Sequence, residues 1–293
     1  MTPSSIHSMI NQLRSRGFAC HSLSKNQPWI LNALQAATQN DAAKMNQFRF
    51  PPLEGPIHYD DSKRLAFRAL LEVATTCFEG LLVASSSSSS VQDKRQESSL
   101  AHENRKRYMG ILRQYKERSS SHLFQKNPNE PFFDNTIRNP PQPFSSSFFN
   151  LFNYNHGSLN AHKDRSLLTV IYSHVPTMIP SPINSAANST NTKHDNNYSE
   201  VRRSALWIKD SNNQWHNADQ IIQSDQIVVM VGEDFETSGI SSSLGLYAAE
   251  HAVRVNPEGP FIEKSHFRKD PDCRSDGGGE RCSAALILRH ELD

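Results

Sequence analysis

The sequence predicts a mainly-β protein with helices: an antiparallel sandwich or jelly roll preceded by a helical N-terminal region. Three observations carry this. From Phe144 onward, short apolar runs recur between Gly, Asn, Pro and Ser punctuation, with no helical period between them. Before that point, apolar residues return at helical spacing, most strongly from Asp61 to Val83. Between the two textures lies Asn139-Pro140-Pro141-Gln142-Pro143, which cannot continue either element. The expected organisation is a mostly helical region over 1–143 and a β core over 144–293.

Within the N-terminal region, Ile6, Met9, Ile10 and Leu13 form the apolar stripe of a short helix over 6–16. Gly17 is placed to cap it, and Phe18-Ala19-Cys20 then enters a strand. Pro28, with Trp29, Ile30, Leu31 and Leu34, starts a second helix. Phe48 to Pro56 is expected to be irregular, because its prolines lack donors and Gly55 invites a turn. In the third helix Leu65, Leu70, Leu71, Val73, Ala74, Phe78 and Leu81 are apolar. The serine tract 85–90 and the charged run through Arg107 read as a flexible surface loop.

Six strands are expected in the β core: Phe148–Tyr154, His162–His174, Ala205–Lys209, Gln226–Val231, His251–Val255 and Ala284–Arg289. Strands of this kind, without intervening helices, pack as two antiparallel layers. Residues 180–200 and 257–280 are polar and have no packable face, so they read as insertions from a compact barrel.

Bulk properties narrow the class of function. A formal net charge of +1 gives no electrostatic reason to expect nucleic acid or a membrane surface. No continuous run of about 18 apolar residues is present to span a bilayer, and the first residues lack the apolar core of a secretory signal. Cys20, Cys77, Cys273 and Cys282 are widely spaced with no C-x-x-C pair, which argues against a zinc ribbon or disulfide scaffold. A reducing, cytoplasmic setting and a monomer acting on a small molecule are the expectation.

The chemistry concentrates in a few side chains. His162-Lys163-Asp164 is an H-x-D pair, and on a strand residues i and i+2 project from one face. Alone, such a pair is as well read as a surface ion pair. A third ligand candidate, His251, opens an alternating apolar strand 87 residues after Asp164. Two imidazoles and one carboxylate make a facial metal triad that leaves open positions for other ligands. Arg281-Cys282-Ser283 adds a guanidinium and a hydroxyl on one face, a pair suited to a small carboxylate.

The order His162-x-Asp164, His251, Arg281-x-Ser283 resembles the Fe(II)- and 2-oxoglutarate-dependent dioxygenases, and more narrowly the isopenicillin N synthase-like group. HKDRSLLTVIY is similar to that group's H-x-D-x-x-x-L-T strand, and GLYAAEHAVRVNPEG to the segment around its distal histidine. ALWIKDSNNQWHNADQIIQSDQIVVMVGEDFETSG is similar to its strand, Trp-containing turn and hydrophobic strand ending in Gly. The match covers about Phe148 to Asp293, with Arg16-Gly17-Phe18 a looser echo upstream.

This resemblance implies a double-stranded β-helix holding Fe(II) by His162, Asp164 and His251. It implies that 2-oxoglutarate chelates the iron, with its far carboxylate on Arg281 and Ser283, and that O₂ is the oxidant. Asn153-Tyr154 is similar to an Asn-Tyr pair that touches the co-substrate in the family, although the linker to His162 is shorter and Asn155-His156-Gly157 replaces the usual prolines. The implied reaction is hydroxylation, or desaturation or cyclisation, of a small organic substrate, releasing succinate and CO₂. Three rivals stand beside it. They are a same-fold oxidase without 2-oxoglutarate, like isopenicillin N synthase or the ethylene-forming oxidase; a non-catalytic binding protein of the same fold; and a zinc hydrolase.

The remaining candidates have plainer readings. His156, His174, His194, His216 and His266 lie in polar or turn contexts and are expected not to ligate. Phe148, Phe149 and Phe152 read as core, with one available to line a pocket. Trp207 and Trp215 read as packing and turn residues, and the basic run 94–107 as a solvated face because Glu97 and Glu103 interrupt it.

Overall fold

The structure, a computed structural model, describes residues 1–23, 28–38, 47–50, 61–87, 99–123, 144, 146–153, 159–174, 205–254 and 282–290. The N-terminal segment shows how local sequence fixes the first element. Helix α1 (Pro3–Arg16) begins where the Thr2 hydroxyl accepts the Ser5 amide, with Pro3 supplying a preset φ and no surplus donor. It ends at Gly17, whose φ of 77° is left-handed and whose amide returns to Leu13 O. A Cβ at Gly17 would also press on Ala249 Cβ at 2.8 Å and Lys209 O at 2.9 Å, so glycine is required twice over. The chain then turns directly into β1 (Phe18–Ser22).

Helices α2 (Pro28–Ala36), α3 (Asp61–Ser87) and α4 (Ser99–Leu123) complete the N-terminal layer, with the short strand β2 (Gln47–Phe50) between the first two. Three expectations change here. Phe48–Phe50 is a strand, paired with Leu151–Phe149, because the prolines begin only at Pro51, beyond its end. The serine tract does not open a loop at Ser85: α3 runs on to Ser87, with Ser85, Ser86 and Ser87 hydroxyls donating back to Leu82 O and Val83 O. The charged run is helical from Ser99, since Ala101, Tyr108, Ile111 and Leu112 bury one face of α4 at helical spacing. The rest of the serine tract (88–90), the proline segment 139–143 and the insertions 180–200 and 257–280 lie outside the described residues.

Leu65–Ser87 within α3 is long and apolar enough by composition to cross a membrane although Arg68, Glu72 and Glu79 interrupt its apolar residues, and 67% of the qualifying stretch is buried inside the protein. Its apolarity is explained by its position. Phe78 packs edge-on against Tyr108 of α4 at 5.4 Å and against Phe235 at 5.9 Å, and Phe67 against Phe149 at 6.2 Å.

The β core comprises β3 (Phe148–Asn153), β4 (Leu159–His162), β5 (Leu168–His174), β6 (Ala205–Lys209), β7 (Trp215–Asn217), β8 (Gln226–Val231), β9 (His251–Arg254) and β10 (Cys282–Leu288). They form two antiparallel sheets, ordered β1-β8-β5-β10-β3-β2 and β4-β9-β6-β7. From β3 to β10 the chain crosses between the sheets in the order of a double-stranded β-helix, the jelly roll expected from sequence. Both halves of the chain feed one sheet, because β1 and β2 flank the four core strands.

The larger sheet is covered on both faces, which is why β10 is buried at all seven positions. Leu168, Val170 and Tyr172 of β5, with Cys282, Ala284, Leu286 and Leu288 of β10, pack against the helices. The alternate residues Ile171 and Ala285 meet Leu206, Ile208 and Val253 of the smaller sheet. Three short helices interrupt the strands where none was expected: α5 (Ala218–Ile221), α6 (Glu233–Thr237) and α7 (Ile240–Leu244). A four- or five-residue helix is too short to carry a periodic apolar stripe, so sequence periodicity does not reveal it.

Candidate metal centre

The expected single strand His162–His174 is two strands joined by a turn, and this matters for the site. His162 is the last residue of β4, while Asp164 lies in the connection 163–167 before β5. The pair therefore does not converge by strand alternation. Asp164 is brought round by the turn, in which its carbonyl accepts the Ser166 amide at 3.0 Å and the Glu233 amide at 2.9 Å. Further amides of α6 are tied to the same turn, Asp234 N and Phe235 N both donating to Ser166 O. Gly232 precedes α6 because a Cβ there would overlap Ser166 Oγ and the Ser166 carbonyl.

His251, the first residue of β9, is directly opposite His162 in the β4–β9 ladder. Their ring centroids are 4.3 Å apart. Asp164 bridges them, with Oδ1 3.5 Å from His162 Nε2 and Oδ2 3.5 Å from His251 Nε2. One ligand atom from each residue lies within 4.8 Å of the others, a spacing at which the three could share one metal ion. The Nδ1 of His162 donates to Asn160 O at 2.7 Å, which turns a neutral imidazole's Nε2 lone pair toward the cluster.

The electrostatics suit a cation. Burial pushes Asp164 upward, but the hydrogen bond with His162, the charge of His251 and the Thr169 hydroxyl outweigh it and hold the carboxyl below its usual range. His162 is raised, first by its hydrogen bond with Asp164. Burial lowers His251, which is 4% exposed, and so favours the neutral imidazole that a metal needs.

The triad opens on a cavity of about 240 Å³ between the sheets. β3 contributes Phe148, Asn150 and Phe152, β5 contributes Thr169 and Ile171, and β10 contributes Ser283, Ala285 and Ile287. Strand register sets their order. Thr169, which hydrogen-bonds Asp164, is opposite Ile287; Ala285 is opposite both Ile171 and Asn150; Ser283 is opposite Phe152. Each i to i+2 step spans ~6.6–6.8 Å, so Asn150 stands about midway between the triad level and the Ser283 level.

The predicted residues are thus partly brought together. His162, Asp164, His251 and Ser283 line one cavity. Arg281 and Tyr154 lie outside the described residues, as does the side chain of Asn153. The backbone of Asn153 pairs with Cys282, and Asn150 lines the cavity wall. Asn150 is 8% exposed, and its Oδ1 is buried without a hydrogen-bond partner. A polar atom left so is destabilising by about 1–3 kcal/mol unless a ligand or water completes it. Sequence reasoning missed Asn150, although strict alternation from Phe152 would have found it.

The aromatic expectations divide. Phe149 is core, while Phe148 and Phe152 both line the cavity. Trp207 donates to Arg254 O at 2.9 Å, as expected of packing, but Trp215 sits in strand β7 and not in a turn. His216 hydrogen-bonds Asp210 at 2.9 Å, and His174 carries no partner set for a metal among the described residues. His156, His194 and His266 lie outside them.

No family model matches this chain, and no curated protein does. Solved structures do. A Pseudomonas putida prolyl-4-hydroxylase is 10% identical, with 98% of this chain and 95% of that chain covered and a TM-score of 0.39. A Trichoplax adhaerens prolyl hydroxylase, solved with a hypoxia inducible factor peptide fragment, is 10% identical over 98% of this chain and 90% of its own, with a TM-score of 0.41. Dioxygenase for auxin oxidation 1 from Arabidopsis thaliana, solved with 2-oxoglutarate, is 12% identical over 100% and 91%, with a TM-score of 0.37. The jelly-roll assignment stands on the strand order, and the site on its own geometry: two histidines and a carboxylate at the wall of a largely apolar cavity.

Proposed function

We propose that this protein is a non-haem Fe(II)- and 2-oxoglutarate-dependent dioxygenase that oxidises a small organic substrate with release of succinate and CO₂. The observation that carries the reading is the convergence of His162, Asp164 and His251 on one cavity of a double-stranded β-helix. The donor set fits iron: two neutral nitrogens and one carboxylate bind a divalent ion while leaving positions for other ligands. When bound, the iron would supply the site for O₂ chemistry coupled to 2-oxoglutarate decarboxylation.

The chain's own groups do the rest. His162, Asp164 and His251 hold the ion; Ser283 and Arg281 receive the far carboxylate of 2-oxoglutarate; Asn150 and the Asn153-Tyr154 pair are the candidates for contact along its length. The apolar walls from Phe148, Phe152, Ile171, Leu206 and Val253 exclude water and leave room for an organic substrate beside the triad. A monomer in a reducing, cytoplasmic setting belongs to the same reading, in line with the free thiols of Cys20 and Cys77.

Succinate release tests it. The purified chain given Fe(II), ascorbate, O₂ and 2-oxoglutarate should form succinate slowly without substrate, and His162→Ala should abolish this. Absence of succinate across a broad metabolite panel would contradict the reading.

A further inference from the structure

The carboxylate of Asp164 has both oxygens within reach of the centre, one 3.5 Å from each histidine. Left free, it could chelate an ion through both, taking two coordination positions in place of one. A hydrogen bond on one of these oxygens opposes this. The Thr169 hydroxyl donates to Oδ2 at 2.6 Å, a short bond of the charge-assisted kind. Thr169 is 2% exposed, lies in the centre of the larger sheet on β5, and has a branched side chain with little rotamer freedom.

A threonine has one proton to give. Because Thr169 spends it on Asp164, the Ser166 hydroxyl, 3.2 Å away and fully buried, must donate to Thr169. The chain of donation Ser166 to Thr169 to Asp164 Oδ2 therefore runs one way. The backbone fixes its two ends: Asp164 O takes the amides of Ser166 and Glu233, and Ser166 O takes those of Asp234 and Phe235. The first turn of α6 thus locks the turn that carries the carboxylate, and Thr169 locks the carboxylate within it.

We propose that Thr169 is a positioning residue of the metal centre, retaining Oδ2 so that Asp164 offers the ion Oδ1 alone and one more coordination position stays open. This rests on the metal-binding part of the proposed function and not on the co-substrate or the reaction. An open position is what a two-point chelating co-substrate and O₂ together require, since three protein ligands leave three places on a six-coordinate ion.

Mn(II) provides the test, because its effect on water-proton relaxation scales with the number of waters on the bound ion. The full-length chain, Thr169→Val and Thr169→Ser are titrated with Mn(II), and the affinity and the relaxivity per bound ion are read. Thr169→Val keeps the shape and removes the donor. It is expected to lower relaxivity by about a third, as one of three waters is displaced by Oδ2, and to weaken binding roughly 10-fold. Thr169→Ser is expected to restore both.

A Thr169→Val protein with the wild-type relaxivity overturns the proposal, as does a Thr169→Ser protein that behaves like Thr169→Val. Should Thr169→Val fail to fold, Thr169→Ala is compared with Thr169→Ser on the same two measurements. If the wild-type chain binds no Mn(II), Fe(II) or Co(II), the metal-site reading itself fails; if it binds and the valine variant matches it, only the role of Thr169 does.

Discussion

His162 and His251 are direct cross-strand partners, the last residue of β4 against the first of β9, with their rings 4.3 Å apart. Two imidazoles so close, one of them 4% exposed, gain little from each other when neutral and repel when protonated. With Asp164 between them, the three side chains are spaced so that they could share one cation.

The first prediction concerns that cation. His251→Ala or Asp164→Ala should weaken Co(II) binding by more than about 100-fold, beyond the ~10–100-fold typical of outer-shell changes. His216→Ala should leave it unchanged, because His216 is committed to Asp210. Isothermal titration with Co(II) on the three variants decides it.

Metal uptake should also depend on pH in a defined direction. Asp164 raises His162 above the ordinary histidine value, while burial lowers His251. Of the two imidazoles, His162 is therefore the one that holds its proton to the higher pH and must release it to bind an ion. Affinity should fall as pH drops through the raised His162 value, with about one proton released per ion bound below it. Co(II) titrations in buffers of different ionisation enthalpy count that proton.

Asn150 separates stability from binding. Asn150→Leu removes a buried amide oxygen that lacks a partner, so the ligand-free protein should hold its thermal midpoint or gain up to about 1 kcal/mol. The same change should weaken 2-oxoglutarate binding roughly 3–10-fold. His216→Ala, at a side chain committed to Asp210 and outside the cavity, serves as the comparison.

Gly232→Ala should be costly for a steric reason, because the new methyl would meet Ser166 at the turn that carries Asp164. A loss of about 1–3 kcal/mol is expected from overpacking, read as a lower urea midpoint, together with weaker Co(II) binding. A variant as stable as wild type would show that the turn can yield.

Away from the site, Asp210 gives a pH signature for stability. Burial pushes it up, yet His216 and the amides of Gln214 and Asn212 hold its carboxyl below the usual value. A folded value below the unfolded one, about 3.9, contributes stability that is complete above that pH and is lost as pH falls through the folded value. The gap in thermal midpoint between wild type and Asp210→Asn should be constant from pH 7 to 5 and close below 4.

Much of this was legible from residues alone, and the exceptions are physical. Near-continuous apolar runs announced β5, β8, β9 and β10, because a strand buried on both faces leaves a dense hydrophobic signature, and alternation announced β6. The triad was legible as a spacing, but the reason for its convergence was not. The alternation argument assumed one strand through His162 and Asp164, whereas a turn clamped by α6 does the positioning. Helix α4 was hidden by its charge, since only Ala101, Tyr108, Ile111 and Leu112 mark its buried face. Asn150 was not singled out because a motif match ignores strand parity, and register places it on the cavity wall.

The most direct test of the central claim is the visible spectrum of the protein with Fe(II) and 2-oxoglutarate under anaerobic conditions. Chelation of the ion by a 2-oxo acid beside His162, Asp164 and His251 predicts a weak charge-transfer band that appears only when protein, Fe(II) and 2-oxoglutarate are all present and is lost in Asp164→Ala. Tight Fe(II) binding with no band at saturating 2-oxoglutarate would contradict it.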